Sequence, residues 1–140
     1  MDQRAVIEKA RRDLEFLQEE VLGVLLYGSW ARGEAHERSD IDICIVAPDA
    51  EDKAALLLKA LAGIRDDRYD LRIFELLPLY LKMAVIEEGI PIFVADAGEL
   101  YEYFYPFRRM WEDQRHRQTL SRDEMLAMLG TGHRRDAKGA

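Results

Sequence analysis

Residues 40–47, Asp-Ile-Asp-Ile-Cys-Ile-Val-Ala, alternate carboxylates with β-branched apolar side chains. That pattern suits a strand and not a helix. Residues two apart in a strand share a face and lie about 7 Å apart. Asp40 and Asp42 therefore look out of one face, and Ile41, Ile43 and Ile45 out of the other. A strand with one dry face and one charged face requires a sheet with helices laid on its dry side. The charged face is costly unless something binds there.

The remaining pattern supplies the partners for such a strand. Val6, Ala10, Leu14 and Leu17 recur at helical spacing among charges and predict an amphipathic first helix. Val21 to Tyr27 reads as a buried strand that ends in a tight turn at Gly28-Ser29, with Ser29 placed to cap a short helix through Ala31 and Arg32. Residues 34–39 are a polar loop. Asp49 to Leu61 predicts a helix stopped by Gly63, and Tyr69 to Phe74 a third strand. Pro78 is suited to start a helix that ends at Gly89. Ile90 to Ala95 is a fourth strand, and Pro91 places it at an edge. Leu100, Phe104, Phe107 and Trp111 mark a long helical segment that Pro106 kinks or divides. Ser121 and Glu124 form a capping-box pattern for a final short helix stopping by Gly130. The reading is an α/β chain of the α+β type, with about four strands and additional C-terminal helices. It forms a single domain over residues 1–130, with its core at about 5–95, a helical extension at about 97–130, and a flexible, basic tail at 131–140.

Size and charge narrow the function. The 140 residues suit one core, and 49% hydrophobic with 34% charged residues is an ordinary globular composition. A net charge of −7 argues against a broad nucleic-acid surface, but not against a nucleotide carried with Mg²⁺. No apolar run approaches the roughly 20 residues of a membrane span, and the charged N-terminus is not a secretory signal. The single cysteine, Cys44, lies in an apolar run and reads as a small buried hydrophobe. A reducing cytoplasm fits these features.

The chemistry-bearing constellation is Gly28-Ser29, then ten residues, then Asp40-Ile41-Asp42. Two carboxylates on one strand face suit a hard divalent cation such as Mg²⁺, with phosphates and water completing its shell. Glycine lets a phosphate approach the backbone, where amides and the Ser29 hydroxyl can donate to it. Asp70 would join the same face if the Tyr69 strand pairs beside the Asp40 strand, as a metal ligand, a base for an acceptor hydroxyl, or both. Arg32 is suited either to phosphate or to bracing the loop. Lys82 reads as part of a solvated helix face, with nucleotide contact as its alternative. His36, His116 and His133 lack metal-ligand spacing. Arg109 and His116 fit an Arg-x(4–6)-His pattern by coincidence. The aromatic cluster from Tyr101 to Trp111 is either core or a partner surface.

Gly28-Ser29-Trp30-Ala31-Arg32-Gly33, followed by Ser39-Asp40-Ile41-Asp42-Ile43, resembles the signature of the DNA polymerase β-type nucleotidyltransferase superfamily. The short length, and the run from Tyr69-Asp70-Leu71 through Pro78 to Glu88-Gly89-Ile90, resemble its small prokaryotic branch, the minimal nucleotidyltransferases or MNT proteins. The resemblance covers roughly residues 5–95. It implies a mixed sheet with helices mainly on one face and the active site on the other. It also implies two Mg²⁺ ions at the residues matching Asp40, Asp42 and Asp70, and ATP held by Gly28-Ser29. Trp30 departs from the basic or small polar residue common at its position. The resemblance further implies a HEPN-family toxin as partner, with AMP transferred to its tyrosine and the chain acting as antitoxin. Two rival readings are a non-catalytic toxin-binding module and a transferase acting on a small hydroxylated molecule such as an antibiotic. Homo-oligomerisation is left open.

Overall fold

The structure is a computed structural model that describes residues 1–137, apart from the side chains of residues 118–121 and 130–137. Helix α1 (Gln3–Asp13) begins where the Asp2 carboxylate accepts the Ala5 N–H at 2.8 Å. It buries Val6 and Ala10, and a 3-10 turn over Glu15–Leu17 carries Leu17 into the same core. Strand β1 (Gly23–Tyr27) follows, then the short α2 (Ser29–Arg32), β2 (Ile41–Val46), α3 (Lys53–Gly63), β3 (Tyr69–Ile73), α4 (Leu79–Glu88), β4 (Ile90–Val94) and α5 (Ala97–Ala137).

The four strands form one mixed sheet in the order β3-β2-β1-β4. β1 runs antiparallel to both β2 and β4, whereas β2 and β3 are parallel and joined through α3. Pro91 sits in edge strand β4, where its missing N–H costs least. The alternation in β2 sorts its side chains as expected. Ile41, Ile43 and Ile45 are fully buried with Val24 and Leu26 of β1, Leu71 of β3, Val6 and Ala10 of α1, and Leu56 of α3. Leu25, Cys44 and Val46 are buried on the opposite face, while Asp42 is only half-buried.

The chain divides into two compact units, Met1–Tyr105 and Pro106–Ala140. In the first, Leu100 and Phe104 at the start of α5 are buried, and the Phe104 ring lies 5.0 Å from that of Phe74. Tyr103 meets Phe74 edge-on at 5.7 Å and donates its hydroxyl hydrogen to Glu75 at 2.7 Å. These residues are core, whereas Tyr101 and Tyr105 are exposed. The second unit is the rest of α5, in which Phe107 and Trp111 are half-buried. The backbone stays helical through both Pro106 and Ser121, so one helix stands where the sequence pointed to two. A proline deletes one backbone bond and can leave the ladder intact on either side. The helix also continues past Gly130 into the segment expected as a tail, of which residues 138–140 lie outside the described residues.

Candidate active site

The sheet's register gathers the acidic groups. Asp42 of β2 stands directly opposite Asp70 of parallel β3 on one side and Tyr27 of antiparallel β1 on the other. Asp40 is exposed just before β2, near enough for its charge to act on Asp42. α1 and α3 occupy the opposite, apolar face, which leaves this acidic end of the sheet uncovered by them.

Gly28 closes the site from above. It has φ +74°, a left-handed conformation that glycine adopts without penalty, and it is the cap position of α2. A Cβ placed here would fall 2.2 Å from Asp42 Oδ2 and 3.0 Å from its carboxyl carbon. The missing side chain thus makes room for the carboxylate, a requirement in addition to phosphate approach. Ser29 is the first residue of α2 and not its cap, and no side chain caps this helix. The expected capping role falls to Gly28 because the turn needs a positive φ there, which leaves the Ser29 hydroxyl available at the helix start.

Trp30 points into the core at 5% exposure, so this position serves interior packing. Its indole N–H donates to the Ser39 carbonyl at 3.3 Å, tying α2 to the residue that precedes Asp40. The Gln3 amide donates to the carbonyls of Trp30 and Ala31 at 2.9 and 3.2 Å, anchoring α2 to α1.

The electrostatics are those of an under-neutralised acidic cluster. Burial pushes Asp42 up to about 6, reinforced by the charges of Asp70 and Asp40 and partly offset by Arg72 and Arg32. Burial, with Cys44 and Asp42 nearby, pushes Tyr27 up to about 12. The Arg72 guanidinium straddles Asp70, with Nε 3.3 Å from Oδ1 and Nη2 3.5 Å from Oδ2. Arg72 and Tyr27 adjoin the acidic cluster, and the sequence pattern did not single them out. Arg72 was legible as the i+2 neighbour of Asp70, whereas Tyr27 required the register of β1.

Among the described residues, no three His, Cys, Asp or Glu side chains already converge as a metal-binding group. The donor set still fits a hard divalent cation. It is all carboxylate oxygen, and burial together with the neighbouring Asp70 and Asp40 charges disfavours the ionised form of half-buried Asp42, a cost that a cation would relieve.

Other expected residues have local roles. Arg32 donates to Glu34 at 2.9 Å and Glu88 at 3.2 Å, bracing the loop after α2 against the end of α4. Lys82 donates to the Leu77 carbonyl at 2.5 Å and lies 5.5 Å over the Phe74 ring. Cys44 is fully buried, and burial pushes its thiol far up, as suits an unreactive interior residue. A cavity of about 680 Å³ opens at the end of α1, lined by Lys9, Arg12, Asp13, Phe16, Ile64 and Asp66, and shares no residue with the acidic site.

The nucleotidyltransferase domain family matches residues 7–92, which spans the turn, the paired aspartates and all but the last two residues of the sheet. The chain belongs to this family. A relative in Methanocaldococcus jannaschii, which carries the provisional name protein adenylyltransferase, is 46% identical over 97 residues, covering 69% of this chain and 75% of its own. A chain from a crystal structure of a toxin–antitoxin with AMP-PNP superposes with a TM-score of 0.57 at 23% identity, over 89% of this chain and 99% of that one. A chain from the complex of tri-AMPylated Shewanella oneidensis HEPN toxin with MNT antitoxin gives 0.56 at 21% identity, over 88% and 98%. At these identities the two structures establish the fold, and the nucleotidyltransferase assignment rests on the family match and the M. jannaschii relative. No helix among the described residues is long and apolar enough to cross a membrane.

Proposed function

We propose that this nucleotidyltransferase transfers AMP from ATP to a tyrosine hydroxyl of a HEPN-family toxin and thereby acts as its antitoxin. The observation that carries the reading is the Asp42–Asp70 register pair beneath Gly28, with Asp40 one alternation away. The structural neighbours named for toxin–antitoxin pairs and for an AMPylated toxin support the choice of acceptor.

Asp40 and Asp42 would hold two Mg²⁺ ions together with the triphosphate, and Asp70 would complete one ion's shell. Bound Mg²⁺ supplies charge neutralisation on the phosphates and lowers the pKa of an oxygen that it ligates. The Gly28-Ser29 turn offers backbone amides and the Ser29 hydroxyl to phosphate oxygens. The acceptor tyrosine oxygen attacks the α-phosphorus in line. A new P–O bond forms, the α–β bridging bond breaks, and pyrophosphate leaves with that electron pair. Asp70 would receive the hydroxyl proton, with the Arg72 guanidinium, its ion-pair partner, orienting the carboxylate. Positioning and electrostatics supply most of the rate.

Incubation with α-labelled ATP, Mg²⁺ and the HEPN protein tests this reading. Label should appear on toxin tyrosine with the wild type and be absent with Asp42→Asn. Neutralisation of the toxin without any label would replace the reading by a contact-only antitoxin. Label on a small hydroxylated acceptor alone would replace it by a small-molecule transferase.

A further inference from the structure

Helix α3 buries Leu56 and Ala60 against the sheet and turns an apolar face outward. Leu58 is 67% exposed and Leu61 45%, and Ala54 and Ala62 beside them are also exposed. These positions fall at i, i+4, i+7 and i+8, a continuous helical stripe. The only charged residues in the helix are Lys53 and Lys59, and both are engaged by their own chain. Lys53 reaches back to the Pro48 and Ala50 carbonyls, and Lys59 pairs with Glu20. At the C-terminal end the Phe16 ring, 39% exposed, lies against Gly63 and widens the stripe.

We propose that this face is an isologous interface, at which two copies of the chain pair with their α3 helices antiparallel. Such an interface must be complementary to itself, because each residue meets its counterpart through a twofold axis. The stripe meets that condition around Leu58. With Leu58 on the axis, the small Ala54 end of one copy faces the bulky Leu61 and Phe16 end of the other. Glu51 and Asp52 lie just before the helix and Arg65 just after it, all exposed and none in an ion pair among the described residues. Antiparallel pairing brings the acidic end of each copy to the basic residue of its mate. The negative charge before the helix and the positive charge after it also suit the helix dipole in each copy. Parallel pairing would instead set Glu51 against Glu51. The 11-residue helix makes a contact roughly 16 Å long and 10 Å wide. That falls short of the about 1,200 Å² at the low end for stable complexes, so the dimer is weak and concentration-dependent. It forms on the face away from Asp42 and leaves the acidic site open.

Sedimentation velocity of the full chain from micromolar to millimolar concentration tests the proposal. The wild type should shift reversibly from monomer to dimer. Leu58→Glu places two like charges across the axis and should weaken association at least about tenfold, with unchanged circular dichroism because the position is exposed. Glu51→Arg and Arg65→Glu should each weaken it, and the double exchange should restore it. A wild type that stays monomeric at millimolar concentration overturns the proposal. So does a dimer indifferent to Leu58→Glu, or a double exchange that fails to recover association. If Leu58→Glu does not fold, Leu58→Lys and the charge exchange decide the matter in its place.

Discussion

Asp42 and Asp70 face each other across the parallel β2–β3 pair, so two carboxylates separated by a whole helix in sequence become lateral neighbours on one sheet face. Two like charges on adjacent strands destabilise a sheet unless something neutralises them. Arg72 covers Asp70, and Asp42 stays half-buried beside it with a raised affinity for its proton.

Asp42→Asn should therefore separate function from stability. On the proposed mechanism, in which this carboxylate would hold the cation that neutralises the phosphates, transfer should fall by at least about 10²-fold. The apo protein should be more stable by up to about 1 kcal/mol and so melt at a higher temperature, because a crowded charge has gone. Mg²⁺-ATP should then raise the wild-type melting temperature and leave the variant nearly unmoved. Undiminished transfer by folded Asp42→Asn protein would sink the assignment.

Gly28→Ala should be costly out of proportion to one methyl group. The Cβ meets Asp42 Oδ2 at 2.2 Å, and the residue must hold φ +74°. Strain of this kind costs on the order of 1–3 kcal/mol, read as a lower denaturation midpoint. If the carboxylate moves aside to relieve the clash, the thermal shift given by Mg²⁺-ATP should shrink as well. Gly28→Ala combined with Asp42→Ala should recover part of the stability and none of the nucleotide response. An alanine variant as stable and responsive as wild type would refute the packing argument.

The start of α5 belongs to the core of the first unit, which bears on truncation. Phe104→Ala removes a ring packed on Phe74 and should cost about 3–5 kcal/mol. A chain ending at Ala95 loses Leu100, Tyr103 and Phe104 together and should aggregate or unfold. A chain ending at Tyr105 keeps all three and should fold, as circular dichroism and a cooperative melt would show. A cooperatively folded Ala95 truncation would contradict the packing seen here.

Much of this site is legible in the sequence, and the illegible parts have physical reasons. The strands announced themselves because β2 opens on alternating carboxylates and isoleucines, β3 alternates apolar with charged residues, and β1 is a short apolar run that ends at Gly28. The i, i+2 rule placed Asp40 and Asp42 together, and Asp70 needed only the assumption that β3 lies beside β2. Register was beyond reach, because nothing local tells Tyr27 that Asp42 will stand opposite. The capping assignment failed at Ser29 because residue preference does not report backbone angle, and the turn demanded a positive φ one residue earlier. The alternative in which Pro106 divides the helix, and the restart at Ser121, failed in another way. Both are signals that the chain permits an end, and neither compels one. The aromatic cluster divided between core and surface because helical periodicity cannot tell which face finds Phe74.

The last prediction concerns acid stability. The Tyr69 hydroxyl, one residue before Asp70, donates to Asp13 at 2.6 Å, and Lys9 joins Asp13 at 2.6 Å to Asp66 at 3.0 Å. This cluster clasps the start of β3 to α1. The Arg68 side chain and backbone N–H, together with Lys9, hold the Asp66 carboxyl far below its usual range. Its folded affinity for a proton is thus lower than its unfolded affinity. The stabilisation is fully present above the unfolded value near 3.8 and is lost as pH falls through the folded value. Asp66 is partly solvated, with 21% side-chain exposure, so the contribution is modest at about 0.5–1 kcal/mol. Asp66→Asn should lower the melting temperature at pH 7 by roughly 2–6 °C for a domain of this size. The gap between wild type and variant should close as the pH drops toward the acid end. A gap that persists undiminished through strong acid would show that Asp66 acts through packing and not through its charge, and equal melting at pH 7 would show that the clasp contributes nothing.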